Sequence, residues 1–270
     1  ATNSTQNITG AAANPANIVV TSAEADPYDF GTRANGSTTT HASFTIENQG
    51  SVNATGLSFG VSGGPYAINT ENCPEPLPPA TSCQVSVDFS PVGTGTWNGV
   101  NLEVDYDDGT GAAQLLHGLT GVSDVPADLT ITAAPDAFGF GDLAHTDTLD
   151  HTFTVTNSSP SIAATGISES TLAAPFSIVG GTCTPLGTIA GGASCTLQVR
   201  FAPSDAGDVA YSETITLGFS NGVGADTATA NVTGDGHNKA LLVITAVPDS
   251  FAFGTKGDGS STTRTFTITN

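Results

Sequence analysis

A stretch of ten residues, Ser82-Cys83-Gln84-Val85-Ser86-Val87-Asp88-Phe89-Ser90-Pro91, returns later in the chain as Ser194-Cys195-Thr196-Leu197-Gln198-Val199-Arg200-Phe201-Ala202-Pro203. In both copies a Cys, two aliphatic residues and a Phe occupy alternate positions, with polar residues between them. A period of two places all four on one face of a β-strand, so one face is core and the other is wet. Proline, which has no N–H to donate, then ends the ladder. The predicted core positions are therefore Cys83, Val85, Val87 and Phe89, and Cys195, Leu197, Val199 and Phe201.

Other landmarks recur around this strand. Tyr28-Asp29-Phe30-Gly31 is matched by Phe138-Gly139-Phe140-Gly141 and by Phe251-Ala252-Phe253-Gly254. The second copy follows Leu129, Ile131 and Pro135-Asp136, and the third follows Leu242, Ile244 and Pro248-Asp249. Spaced aromatics before a Gly suggest rings plugging one end of a sandwich, with the Gly making a turn. A second strand reads Phe44-Thr45-Ile46-Glu47-Asn48, then Phe153-Thr154-Val155-Thr156-Asn157, then Phe266-Thr267-Ile268-Thr269-Asn270. Its Phe and β-branched residue point inward, and the closing Asn can fold its side chain onto nearby backbone. Pro65-Tyr66-Ala67-Ile68 is matched by Pro175-Phe176-Ser177-Ile178. The first Cys and a loop rich in Pro or Gly follow each copy, including Pro185-Leu186-Gly187 in the second. Beyond the repeated core strand, Val100, Leu102, Val104 and Tyr106 alternate with polar residues, as Tyr211, Ile215, Leu217 and Phe219 do later. Hairpin turns follow at Asp107-Asp108-Gly109 and Asn221-Gly222, and the last strands end in Leu119-Thr120-Gly121 and Val232-Thr233-Gly234.

These spacings define a repeat of about 110 residues. That is the size of a small antiparallel sandwich. The predicted fold class is all-β, with tandem immunoglobulin-like sandwiches of seven to eight strands. Residues 1–17 read as a flexible leader, 18–122 as the first sandwich, 128–236 as the second, and 240–270 as the first two strands of an incomplete third. Short connectors of this kind keep neighbours close and allow hinge motion. Two strands cannot bury a sandwich core, so the third unit is expected to be completed either by further polypeptide or by another molecule. A first residue of Ala fits a mature product after signal-peptide removal, or a fragment.

The charge narrows the range of partners. With 25 acidic residues against 5 Lys and Arg, the net charge is −20. A nucleic-acid binder needs cations to displace counterions, so DNA and RNA are excluded as expected partners. Anionic membrane surfaces are disfavoured, and no apolar run is long enough to cross a bilayer. The charge itself reads as solubility and mutual repulsion. The four Cys fall as two pairs, Cys73 with Cys83 and Cys183 with Cys195, one pair per repeat. Four Cys allow three connectivities, and the duplication favours pairing within each repeat. No Cys-x-x-Cys occurs and no His stands at a matching place in both copies, so zinc is a poor second. Disulfides imply an oxidising compartment.

The search for chemistry yields little. His41, His117, His145, His151 and His237 sit at non-equivalent places in the repeats and read as surface residues, not bases for a nucleophile. No catalytic residue and no cofactor is assigned. Asp105, Asp107 and Asp108 invite a calcium reading, but without EF-hand spacing, and the second copy has no carboxylate there. A plain acidic hairpin is the preferred reading; Asp124, Asp128 and Asp235 at the connectors are a second calcium alternative. Lys239 and Lys256 are the only lysines, so a Lys–Asn crosslink inside the first two units is excluded. Sequons at Asn3, Asn7, Asn35, Asn53, Asn157 and Asn231 permit glycosylation without indicating it. Trp97, the single Trp, reads as a partly buried residue at a strand start.

Taken together, the Phe-Gly, Phe-x-Ile-x-Asn, Pro-aromatic-x-Ile and Ser-Cys-x-Val-x-Val-x-Phe-x-Pro phrases with a Thr-Gly ending resemble the Hydin-type (ASH) immunoglobulin-like repeat. The form is most similar to that of bacterial secreted proteins called choice-of-anchor D. The resemblance covers nearly all of residues 18–234 and the start of the third copy. It implies a seven- or eight-stranded sandwich, used in tandem on exported or surface-attached proteins. Eukaryotic relatives are associated with cilia and centrosomes, where the paired Cys would not be expected. The family offers no catalytic residues to carry over. The expected function is a non-catalytic extracellular stalk, filament or surface-layer component, polymerising by edge-strand or donated-strand pairing. Its expected partners are other copies of itself or other surface proteins. The alternatives are an adhesin gripping a glycan or host protein, and a spacer arm of a larger secreted enzyme.

Overall fold

The computed structural model describes residues 6–270 except 8, 135, 184–186 and 206. Pro135, the Pro185-Leu186 part of the second crossover loop and the Asn3 sequon lie outside the described residues. No helix occurs among the described residues, and the chain forms tandem immunoglobulin-like β-sandwiches.

The first unit contains β1 (Ile18–Val20), β2 (Tyr28–Ala34), β3 (Thr40–Asn48), β4 (Thr55–Val61), β5 (Tyr66–Glu71), β6 (Ser82–Phe89), β7 (Gly95–Asp107) and β8 (Ala112–Asp124). One sheet has the order β1-β3-β6-β5 and the other β2-β8-β7-β4. The second unit contains β9 (Leu129–Thr132), β10 (Gly139–Ala144), β11 (Leu149–Asn157), β12 (Ala164–Glu169), β13 (Phe176–Gly180), β14 (Thr188–Ile189), β15 (Ser194–Phe201), β16 (Val209–Ser220) and β17 (Ala225–His237). Its sheets are β13-β15-β11-β9 and β10-β17-β16-β12-β14. The extra two-residue β14 answers to an isolated bridge, Ala54 to Leu77, in the first unit. Then β18 (Val243–Thr245) pairs antiparallel with β19 (Thr267–Thr269).

The repeated core strands are β6 and β15, each central in its sheet. Val85, Val87, Phe89, Leu197, Val199 and Phe201 are fully buried, together with Phe44, Ile46, Phe153 and Val155 on the neighbouring strands. Phe30 and Phe140 close the same end of each core. Around Phe89 the rings of Tyr66, Phe30 and Trp97 lie at 4.9, 5.5 and 5.9 Å. Around Phe201 the rings of Phe176, Phe140 and Tyr211 lie at 4.9, 5.7 and 5.8 Å. Trp97 is half-buried near the start of β7, edge-on to Phe89. Burial, with the Asp29 charge a second cause, pushes the Tyr66 phenol up to about 12. The Thr-Gly phrases face these rings: a Cβ at Gly121 would stand 2.8 Å from Phe89, and one at Gly234 would stand 2.7 Å from Phe201. These two glycines are there because an aromatic ring needs the space.

Several expectations change on folding. The chain is engaged before residue 18: Ala16 is buried and its N–H donates to Asp108 O at 2.9 Å, while Asn14 O accepts from Ser51 N. The last strands do not stop at Thr-Gly. β8 continues to Asp124 and β17 to His237, because β2 and β10 run parallel to them and keep their backbone groups paired. His117 and His145 are buried, not surface residues. His117 has the inward parity of β8, between Leu115 and Leu119, and its ring lies 5.1 Å from Phe44. His145 follows β10 and its Nε2 is bonded to Gly207 O at 2.6 Å.

Candidate functional site

The polar faces hold the sandwiches together without forming a reaction centre. Cys73 is bonded to Cys83 and Cys183 to Cys195, with Cα–Cα distances of 4.9 and 5.1 Å. Cys83 and Cys195 begin the central strands β6 and β15, so each disulfide ties a crossover to its own sheet. Loops this short contribute about 2–3 kcal/mol by restricting the unfolded chain. Replacing Cys83 with Ser should lower the first unit's stability by about that amount. Urea unfolding with and without reductant checks this, since the variant should lose its response to reductant at that bond. On the wet faces the same two positions carry a basic and an acidic residue in opposite order. His41 on β3 pairs with Asp88 on β6, and at the matching sites Asp150 on β11 takes a bidentate pair from Arg200 on β15 at 2.7 and 2.8 Å. The Arg200 hydrogen bond holds the Asp150 carboxyl below its ordinary range.

The acidic hairpin is a turn. Asp107 Oδ1 accepts from Gly109 N, and Asp108 Oδ1 accepts from Thr110 N, Thr110 Oγ1 and Gly111 N. Those bonds, the Thr110 hydroxyl first, lower the Asp108 carboxyl. Asp105 lies on the strand and accepts from Gln114 Nε2 at 2.8 Å. At the connector, Asp124 accepts from Ser161 Oγ at 2.6 Å and Asp128 from Ser158 Oγ at 3.0 Å. Asp235 lies on β17, paired in register with Asp142 on β10. Among the described residues, no three His, Cys, Asp or Glu side chains converge as a metal site.

The most organised feature is the junction between the first two units. Ala34, the last residue of β2, is 3% exposed and packs in the core of the second unit. Opposite it stands Gly222, where an added Cβ would lie 3.0 Å from both Ala34 Cβ and Ile162 Cγ2. Only four residues separate β8 from β9, and they are held. Ser159, 1% exposed, donates its Oγ to Val125 O at 2.8 Å, and Ala127 N donates to Asn221 O at 3.0 Å. The hinge expected here is thus a set of bonded backbone groups. Sequence reasoning missed Ala34, Ser159 and Gly222, and read Asn221-Gly222 only as a hairpin turn. The usable signal was an Ala closing β2 where a surface strand end favours a polar residue.

At the other end of the second unit, His237 lies between Asp208 at 2.9 Å and Asp142 at 3.2 Å. The hydrogen bond to Asp208 first, and that to Asp142 second, raise the imidazole above its ordinary value of about 6.5. Because the folded value is the higher one, this contribution is complete below the unfolded value and is lost as pH rises through the folded one. An NMR titration should place His237 above 6.5, and Asp208→Asn should lower it more than Asp142→Asn. Lys239 then pairs with Asp147 at 2.7 Å. The strands β18 and β19 repeat the pairing of β1 with β3 and of β9 with β11. They leave Leu241, Leu242, Ile244, Phe251 and Ile268 largely exposed.

No family model matches the sequence, and no curated protein matches it. Solved structures do show likenesses. A protein of unknown function from Porphyromonas gingivalis W83 aligns at 8% identity over 81% of this chain and 98% of its own, with a TM-score of 0.28. The VesB protease of Vibrio cholerae aligns at 16% identity over 67% of this chain and 63% of its own, with a TM-score of 0.31. The ASH / PapD-like domain of human CEP192 aligns at 12% identity over 43% of this chain and 88% of its own, with a TM-score of 0.29. Likenesses this distant say nothing about activity. The class is that of immunoglobulin-like sandwich modules, and the two disulfides are compatible with an extracellular location.

Proposed function

We propose that this chain is a non-catalytic stretch of an exported, choice-of-anchor-D-like tandem array, acting as a stiff extracellular stalk or filament segment. The observation that supports this reading is the junction. A strand from one core continues to Asp124, four residues follow of which Val125, Ala127 and Asp128 are hydrogen-bonded, and the next unit receives Ala34 into its own core. Burying Ala34 and Ser159 across the join makes bending cost packing and hydrogen bonds. Stacked rigid units convert sequence length into reach. The exposed edge of β19 is the edge that β6 and β15 occupy in the first two units, so it accepts a strand of that pattern from the same polypeptide or a neighbouring one.

Small-angle scattering tests the stiffness. The chain should give an elongated profile with two units at fixed separation. Inserting Gly-Ser-Gly-Ser between Val125 and Pro126 should broaden that separation. An unmodified chain that already shows a broad distribution of separations overturns the stalk reading. Sedimentation velocity across a concentration series tests association, which should fall when Ile268 and Phe266 on β19 and its approach are changed to Ser.

A further inference from the structure

Beside the junction lies a cleft of about 400 Å³, walled by the end of β2 and the following turn on one side and by residues 161–165 and Gly222 on the other. Its volume is within the range of roughly 300–1,000 Å³ typical of small-ligand sites. Arg33 lines it. In a chain of charge −20, Arg33 is the first cation and the only one before Arg200. Arg200, Lys239 and Arg264 each have an Asp within 4.0 Å, whereas Arg33 has no carboxylate within that distance among the described residues. Its Nε donates to Phe30 O at 3.2 Å, which fixes the stem, and its Nη atoms make no bond among the described residues. Among the described residues no carboxylate lines the cleft; Asp124 is engaged with Ser161 Oγ and Val125 N.

The remaining lining is mostly hydroxyl. Ser37, Thr38, Thr40, Ser161 and Thr165 face the space, with Ile162 as an apolar patch. Ser37 Oγ is buried and has no hydrogen-bond partner among the described residues. A buried hydroxyl without a partner calls for an explanation, and a ligand group at that point supplies one. Short hydroxyl side chains both donate and accept, which suits a ligand that is itself dense in hydroxyls. A free guanidinium fork suits a carboxylate, taken through two parallel N–H bonds.

We propose that this cleft is a binding site for an acidic saccharide, with Arg33 taking the uronate carboxylate and the Ser and Thr residues taking the ring hydroxyls. The inference is independent of the stalk reading. It gives the junction a ligand that touches both units at once.

The test is titration of the full chain with digalacturonate at low salt, followed by calorimetry and amide shifts. Saturable binding is expected, with shifts at Arg33, Ser37 and Thr165. Galactobiose, the uncharged counterpart, should bind about tenfold more weakly or worse, and Arg33→Gln should lose about tenfold or more for digalacturonate. Arg33→Lys should restore part of that loss, and Thr165→Val should weaken both sugars. Arg33 is exposed, so unchanged thermal midpoints are expected for its variants. Absence of saturable digalacturonate binding overturns the proposal. So does equal binding of galactobiose, equal binding by Arg33→Gln, or inorganic sulfate binding as tightly as the disaccharide.

Discussion

Replacing Phe89 with Ala is expected to destabilise the first sandwich by about 3–5 kcal/mol, and Phe201→Ala should do the same to the second. Each ring is fully buried and touches three other aromatic rings at centroid distances of 4.9 to 5.9 Å. The cavity cannot readily close, because the three rings around it are anchored on three different strands and Gly121 or Gly234 offers no side chain to fill it. Trp97 reports on the first core alone, being the single Trp and lying against Phe89. Its fluorescence midpoint in urea should therefore move strongly in Phe89→Ala and little in Phe201→Ala. A shift below about 1 kcal/mol in the first variant would mean the core relaxes around the loss.

Asn48→Ala should cost at least about 3 kcal/mol, since each buried backbone group left without a partner costs roughly 1–3. Asn48 is entirely buried at the end of β3 and holds four backbone groups. Its Nδ2 donates to Val52 O at 2.8 Å and Leu77 O at 3.0 Å, while its Oδ1 accepts from Asn17 N at 3.1 Å and Gly50 N at 2.9 Å. Asn157 does the corresponding work, donating to Ile162 O and Ile189 O and accepting from Asp128 N and Ser159 N. Asn48→Asp keeps the shape but turns the two donated bonds into repulsions, so it should be no better tolerated than Ala. Urea midpoints measured by circular dichroism check both. If Asp matched the native residue in stability, the donated bonds would not be what this side chain supplies.

The same residue shows where sequence and structure divide. A strand-ending Asn that recurs after Phe-x-Ile or Phe-x-Val announces a turn, and that much could be read directly. Its burial could not, because the carbonyls satisfied at Leu77 by Asn48 and at Ile189 by Asn157 lie in crossover segments about thirty residues away. His117 is a parallel case: its inward parity follows from Leu115 and Leu119, but only the packing of Phe44 shows the ring enclosed.

The repeat, the sandwich class and the inward residues of β3, β6, β11 and β15 were determined by the sequence itself, because a side-chain period of two is a local property and Phe, Ile and Val gain by burial wherever the strand lies. The junction and the cleft were decided by tertiary structure alone. Arg33 and Thr165 are ordinary surface residues on their own strands, and Ala34 is an ordinary strand end. They acquire a shared role only because β8 runs on to Asp124 and sets the second unit against the first. No local pattern encodes that approach, since it depends on contacts between residues more than a hundred positions apart.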